Sequence, residues 1–191
     1  MQQTTLFLIR HGTTDWNEAG RLQGHSDIPL NARGRRDALA AARRLAAAGI
    51  VPAAVYSSDL IRAAETARLI AARRGRRVPV RLDARLRERA LGAAEGLTRP
   101  EAEARFGPGP AGLAAAGAEP LAALVARVDA VMTELAARHP GEDVVVVSHG
   151  AALGHWLRRR AGGFPAAEAV PLVNGAVVTV RREAGAWRYL P

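Results

Sequence analysis

Blocks of apolar residues change period along this chain, and each change marks an element. Thr4–Ile9, apolar without a break from Leu6, reads as a buried strand. Asn31 then offers a helix N-cap, and leucines and alanines recur at helical spacing through Leu45 until Gly49 stops them. Ala53–Ser58 (AAVYSS) is a second short strand. Ser58 or Asp59 is placed to cap the helix that follows, which is expected to run to about Arg74 and end at Gly75. Val78–Arg81 reads as a third strand. From Asp83 to Gly117 the periodicity breaks up, leaving a short helix around Pro100–Phe106 and a Pro/Gly loop, GPGPAG, behind it. Leu121–Arg138 is a long helix, and DVVVVSHG is the most strand-like segment of all. A helix through Arg160 and two strands near Ala176–Val180 and Trp187–Leu190 complete the pattern.

Strands alternate with helices almost throughout, which predicts an α/β fold: a three-layer αβα sandwich around a mostly parallel sheet. No linker divides the 191 residues and no repeat is visible, so they are expected to form one domain.

Composition removes several function classes. Apolar residues make up 49% of the chain, which argues against disorder. There is no cysteine, so disulfides and thiolate chemistry are excluded, and a cytoplasmic location is expected. The first residues lack the pattern of a signal peptide, and no apolar run is long enough to span a membrane. The net charge of +9 invites a nucleic-acid reading. However, every basic residue is arginine, alanine is abundant, and the arginines are spread in pairs such as Arg35-Arg36, Arg43-Arg44 and Arg73-Arg74. Paired charges of this kind belong to solvated helix faces. Aromatics are only 4%, too few for a base-stacking platform. The expected partner is a small anionic molecule, with no nucleic acid and no membrane, for a monomer or a homodimer.

The chemistry collects at strand ends. LFLIRHG and VVVVSHG both run apolar and then finish in His-Gly. In a parallel sheet those tips share one edge, so His11 and His149 are expected to converge although about 140 positions separate them. The glycines, Gly12 and Gly150, are read as letting backbone approach a ligand. YSSDLIRAAETA puts Arg62 in the first turn of a helix just past another strand end. It could simply pair with Glu65 or Asp59 on the surface, but arginine also suits bidentate phosphate recognition. Arg10, Arg62 and a charged His149 around a neutral His11 would cradle a trianion. Glu88 and Glu95, in the irregular RLRERALGAAEG, supply candidate carboxylates. No cluster has the spacing of a zinc site.

RHGTTDWN, SSDLIRAAETA, LRERALGAAEG and VVVVSHG together resemble the histidine phosphatase superfamily, the phosphoglycerate mutase-like proteins, in order and approximate spacing. The resemblance runs from Leu6 to the last strands and points to the phosphatase branch. It implies that His11 is a nucleophile that becomes phosphorylated, and that Glu88 is the proton donor. It places Arg10, Asn17, Arg62, His149 and Gly150 at the phosphate pocket, and Gln23 and Gly24 on a loop beside the substrate. No metal or other cofactor is implied. Two positions depart from the family pattern: Ala94 stands where many relatives have tryptophan, and Ala151 where mutases carry asparagine.

The expected activity is that of a metal-independent phosphomonoesterase acting on a small phosphorylated metabolite. A cofactor-dependent phosphoglycerate mutase is the first competitor. Mutases of the family resemble longer chains, whereas Gly96–Asp143 here is short and largely one helix preceded by a Pro/Gly loop, which would leave the site open to water. A non-catalytic phosphate-binding module is the second, although His11 and Glu88 are both present. Of the other histidines, His139 sits at a helix end, His155 is read as packing or surface, and His25 is near enough to Gln23 to touch substrate.

Overall fold

The computed structural model describes residues 3–72, 78–165 and 172–191. The Arg73-Arg74 pair and the Gly75 stop lie outside the described residues.

The strands are β1 (Thr4–Arg10), β2 (Ala54–Ser57), β3 (Val80–Leu82), β4 (Asp143–Ser148), β5 (Ala161–Gly162), β6 (Val177–Glu183) and β7 (Ala186–Leu190). They form one seven-stranded sheet in the order β3-β2-β4-β1-β6-β7-β5. The first four strands of that order are parallel; β6 is antiparallel to β1 and β7 to β6, and β5 pairs parallel with β7.

The sheet is covered on both faces, which is why β1 and β4 read as unbroken apolar runs rather than alternating ones. Helices α2 (Ala32–Ala47) and α3 (Ile61–Ala71) pack Ala41, Leu45, Ala63 and Ile70 onto Phe7, Ile9, Val145 and Val147. On the opposite face α6 (Leu121–Arg138) and α7 (Gly150–Arg160) bury Leu124, Met132, Leu153 and Trp156 against Leu6, Leu8, Val144 and Val146. The expected three layers and mostly parallel sheet are present. Among the described residues no helix is long and apolar enough to cross a membrane.

The irregular stretch is more ordered than its sequence suggests. One-turn α1 (Asp15–Glu18) is closed by a capping box between Thr14 and Asn17. Helix α4 (Arg99–Phe106) falls where expected, but GPGPAG is not a loop throughout: α5 (Gly109–Ala115) begins inside it. Gly112 permits that turn, because a Cβ there would meet the Gly107 carbonyl at 1.7 Å. Ala94, Ala102 and Ala116, with Leu22, Leu91 and Phe106, give this region a small core of its own. Gly96–Asp143 therefore holds three helices, of which only α5 was not expected.

The start of α3 also differs from expectation. Its first amides are held by Ser58 Oγ, which accepts from Leu60 N at 3.3 Å, and by Asp27 Oδ1, which accepts from Ile61 N at 2.6 Å. Asp59 caps nothing; its carboxylate holds Arg87, with one contact of 2.5 Å. A carboxylate distant in sequence takes the cap because a charged neighbour claims the local one.

Candidate active site

Strands β1 and β4 are adjacent and parallel, with Arg10 paired to Ser148. The next residue of each strand therefore leaves the sheet edge side by side. The His11 amide donates to the Ser148 carbonyl at 3.0 Å, and the His11 and His149 ring centroids are 5.0 Å apart. Nδ1 of His11 lies 2.7 Å from the Gly12 carbonyl. A carbonyl only accepts, so Nδ1 carries the hydrogen and Nε2 keeps its lone pair. His11 lines a cavity of about 160 Å³ together with Arg10, Asn17, Arg62, Glu88 and Ala151.

Both imidazoles are held well below the usual histidine range. Burial is the main cause for each; Arg62 and Arg10 add to it at His11, and Arg62 and His11 at His149. His11 is neutral as expected. His149 is lowered as well, whereas it was expected to carry charge around a bound trianion. Both His149 ring nitrogens are buried without a hydrogen-bond partner among the described residues.

The arginines are aimed by backbone carbonyls. Arg10 donates through Nη1 to Leu172 O at 2.7 Å. Arg62, fully buried, donates through Nη1 to Ser26 O at 2.7 Å and through Nη2 to Gly24 O at 2.8 Å. Glu65 and Asp59 pair with Arg35 and Arg87 instead, so the surface ion pair considered for Arg62 does not form. Burial lowers Arg62 to about 10, which leaves it charged at neutral pH. Nε of Arg10 and of Arg62 are buried and unpartnered among the described residues.

Both glycines make room for neighbouring protein groups. A Cβ on Gly12 would meet the Gly34 carbonyl at 2.1 Å, so Gly12 lets the His11 loop cross the start of α2. A Cβ on Gly150 would meet the Arg10 guanidinium carbon at 3.3 Å, so Gly150 makes room for that side chain.

Asn17 and Gln23 both reach the cavity. Thr14 Oγ1 donates to Gln23 Oε1, and Thr14 N to Asn17 Oδ1. Asn174 donates to the His11 carbonyl at 3.0 Å and to Asn17 Oδ1 at 3.2 Å. Sequence reasoning passes over Asn174, because it lies in no motif and ahead of a strand rather than behind one. Arg21, Arg89 and Leu91 also line the cavity without having been singled out.

Glu88 sits on the first turn of α7. Its Oε2 accepts from Ala151 N at 3.0 Å, and its Oε1 accepts from Ala152 N and Arg89 N at 2.9 Å. The free amides of the first turn of α7 thus orient a carboxyl group. Glu95 is half-buried at the end of the 3-10 turn Gly92–Ala94. It accepts from the amides of His25, Ser26 and Leu91 and from Ser26 Oγ, clamping the loop that carries Gln23 and Gly24. Burial pushes its carboxyl up, but these donors outweigh it and hold the group below the usual range. His25 Nε2 lies 2.9 Å from Glu88 O, so its ring supports that backbone and does not line the cavity.

His139 is buried at the end of α6, between the Tyr56 hydroxyl and Glu142. His155 is half-buried on α7. Ala94 is fully buried in the third cluster, while Ala151 faces the cavity. Among the described residues no three His, Asp or Glu side chains gather where they would hold a metal ion.

The profile of the histidine phosphatase superfamily (branch 1) matches residues 6–190. Phosphoglycerate mutase-like protein 4 of Arabidopsis thaliana is 37% identical over 185 residues, covering 93% of this chain and 78% of that one. The metal-independent phosphoserine phosphatase of the same plant is 38% identical over 159 residues, covering 78% and 66%. Among solved structures, a mycobacterial glucosyl-3-phosphoglycerate phosphatase complexed with VO3 superposes with a TM-score of 0.81 at 30% identity, covering 100% of this chain and 98% of that one.

Proposed function

The chain belongs to the histidine phosphatase superfamily as a phosphoric monoester hydrolase, and on that premise we propose that it hydrolyses a small phosphorylated metabolite through a phosphohistidine on His11, without a metal. One observation carries the reading. Four buried nitrogens (Arg10 Nε, Arg62 Nε and both ring nitrogens of His149) lack partners among the described residues; Arg10 and Arg62 line the cavity with His11, whose Nε2 lone pair is free, and the His149 ring lies 5.0 Å from that of His11. Buried polar atoms without partners cost about 1–3 kcal/mol each, a cost that a bound acceptor removes. A phosphoryl group supplies such acceptors.

In the first step the His11 Nε2 lone pair attacks phosphorus and the bond to the leaving oxygen breaks. Glu88 gives its proton to that oxygen. Arg10, Arg62 and a His149 protonated on binding hold the equatorial oxygens, supplying the charge that a metal supplies elsewhere. In the second step water attacks the phosphohistidine, Glu88 takes its proton back, and His11 leaves as the neutral ring it began as. Among named relatives, a metal-independent phosphoserine phosphatase and a glucosyl-3-phosphoglycerate phosphatase fit this chemistry.

A panel of phosphorylated metabolites, assayed for inorganic phosphate with no acceptor present, tests the reading. Phosphate release is expected from at least one alkyl monoester, and it should disappear in His11→Ala with the fold retained. No release from the panel, with phosphoryl transfer once a sugar acid is added as acceptor, would favour a mutase. Unimpaired hydrolysis by His11→Ala would remove the nucleophile.

A further inference from the structure

We propose that Arg127 on α6, outside the cavity, is a positioning residue that fixes Glu88 against the leaving oxygen. The inference rests on the reading of Glu88 as proton donor.

Arg127 stands three residues after Leu124 and four before Val131, both fully buried, so the apolar stripe of α6 carries a cation. Its donors are all engaged. Nε and Nη2 hold the two Glu119 oxygens at 2.7 and 2.8 Å. Nη1 donates to the carbonyls of Arg85 and Arg87 at 2.8 and 2.7 Å, and Nη2 to that of Glu88 at 2.7 Å. Five hydrogen bonds match the five N–H groups of a guanidinium, whose rigid fork sets three carbonyls in one geometry. Glu119 ties down the same segment from its own backbone, donating to Ala90 O at 2.9 Å and accepting from Arg89 Nε at 2.7 Å.

Glu88 is thereby held at both ends. Its carboxyl is gripped by α7 amides and its carbonyl by Arg127 and His25. The carboxyl is placed correctly only if the backbone beneath it stays in register with α6. Releasing the carbonyl lets the segment pivot on the α7 contact, while the Ser148 Oγ bond to Leu86 O at 2.7 Å and the Arg87–Asp59 pair keep it near. A shift of about 1 Å in a catalytic group costs on the order of 100-fold in rate. Arg127 does not line the cavity, so phosphate affinity should not change.

The test is the dependence of kcat/KM on leaving group across p-nitrophenyl, phenyl and p-methoxyphenyl phosphate. Proton donation matters more as the leaving oxygen becomes more basic. Arg127→Met should lose roughly 10- to 100-fold on phenyl phosphate and less than about threefold on the p-nitrophenyl ester, giving the steeper dependence that Glu88→Gln gives. Inhibition by vanadate should stay within about threefold of wild type, because Arg127 makes no hydrogen bond to Arg10, Arg62 or His149 and its charge is the last of the causes that lower His149. Arg127→Lys, which keeps the charge but not the fork, should recover part of the slope. Should the Met variant fail to fold, Arg127→Lys and Glu119→Gln carry the same readout. Equal losses on all three esters, or an unchanged slope in folded variants, would overturn the positioning role while a steep slope in Glu88→Gln left the donor assignment standing. A wild-type slope in Glu88→Gln itself would remove the donor and this inference with it.

Discussion

His11 and His149 are the same residue type at matching strand tips, and one hydrogen bond separates their roles. The Gly12 carbonyl fixes the His11 tautomer, whereas nothing among the described residues holds the ring nitrogens of His149. Both rings are neutral in the folded protein and titrate near 6.5 once unfolded. As pH falls through that value the unfolded chain takes up protons that the folded one refuses. Stability contributed above about pH 6.5 is therefore lost toward lower pH, at up to about 1.4 kcal/mol per pH unit for each histidine. Denaturant unfolding of the ligand-free protein should show this fall between pH 7.5 and 5.5, and His11→Ala should show a shallower one. Equal slopes in the two proteins would contradict the neutral, buried His11. For the carboxylates, Glu88→Gln should cost roughly 10²–10⁴-fold on alkyl phosphates and much less in the phosphorylation burst with p-nitrophenyl phosphate. Glu95→Gln should instead raise KM with no leaving-group preference and lower stability by about 1–3 kcal/mol, as its four donors lose a charged acceptor. A leaving-group-selective loss in Glu95→Gln would transfer the donor role to it. His11, Arg10, Arg62 and His149 were legible because each follows a strand whose end the apolar pattern marks. Glu95 was not, since a carboxylate in an irregular segment takes its role from amides that converge only on folding.

Elements converge on the pocket by close backbone crossings. The His11 loop passes over α2 where Gly12 meets Gly34, and a Cβ on Gly34 would meet the Thr13 carbonyl at 2.0 Å. Thr13 is also tied to α2 by Asp37, which accepts from its amide at 3.0 Å and its hydroxyl at 2.6 Å. Gly34→Ala should force these backbones apart, lowering the unfolding free energy by about 2 kcal/mol or more and reducing kcat along with it. Wild-type stability and turnover in that variant would show that the crossing is not needed to seat His11. The periodic elements could be read because burial on two faces imposes its period on the sequence, and Leu121–Arg138 falls on the predicted bounds. Helix α5 was hidden because glycine and proline signal turns locally, whereas here Gly112 serves a close contact with Gly107. The cap on α3 was hidden because Asp27 reaches it from a separate loop.

At the scale of the whole molecule, the sheet order brings the tips of β2, β4 and β1 to one edge, and the segment around Glu88 is fastened over that edge by α6 and α7. The strand-tip half of the site was legible in the sequence. The fastening half, Asn174 with Arg127 and Glu119, depends on long-range contacts that no local motif encodes. Arg127 left only a faint sign, a charge on the buried stripe of α6. On the proposed mechanism the arginines supply the positive charge, so activity should survive EDTA, and loss on chelation with recovery on adding a divalent ion would refute metal-independent turnover. The central claim is that the phosphoryl group passes through His11, and the most direct measurement is rapid alkaline quenching of the enzyme during turnover of p-nitrophenyl phosphate, followed by mass spectrometry of its peptides. The account predicts an acid-labile phosphate on His11, absent from His11→Ala and accumulating when dephosphorylation is slowed in Glu88→Gln. Phosphate on another residue, or none in an enzyme that is turning over, would contradict it.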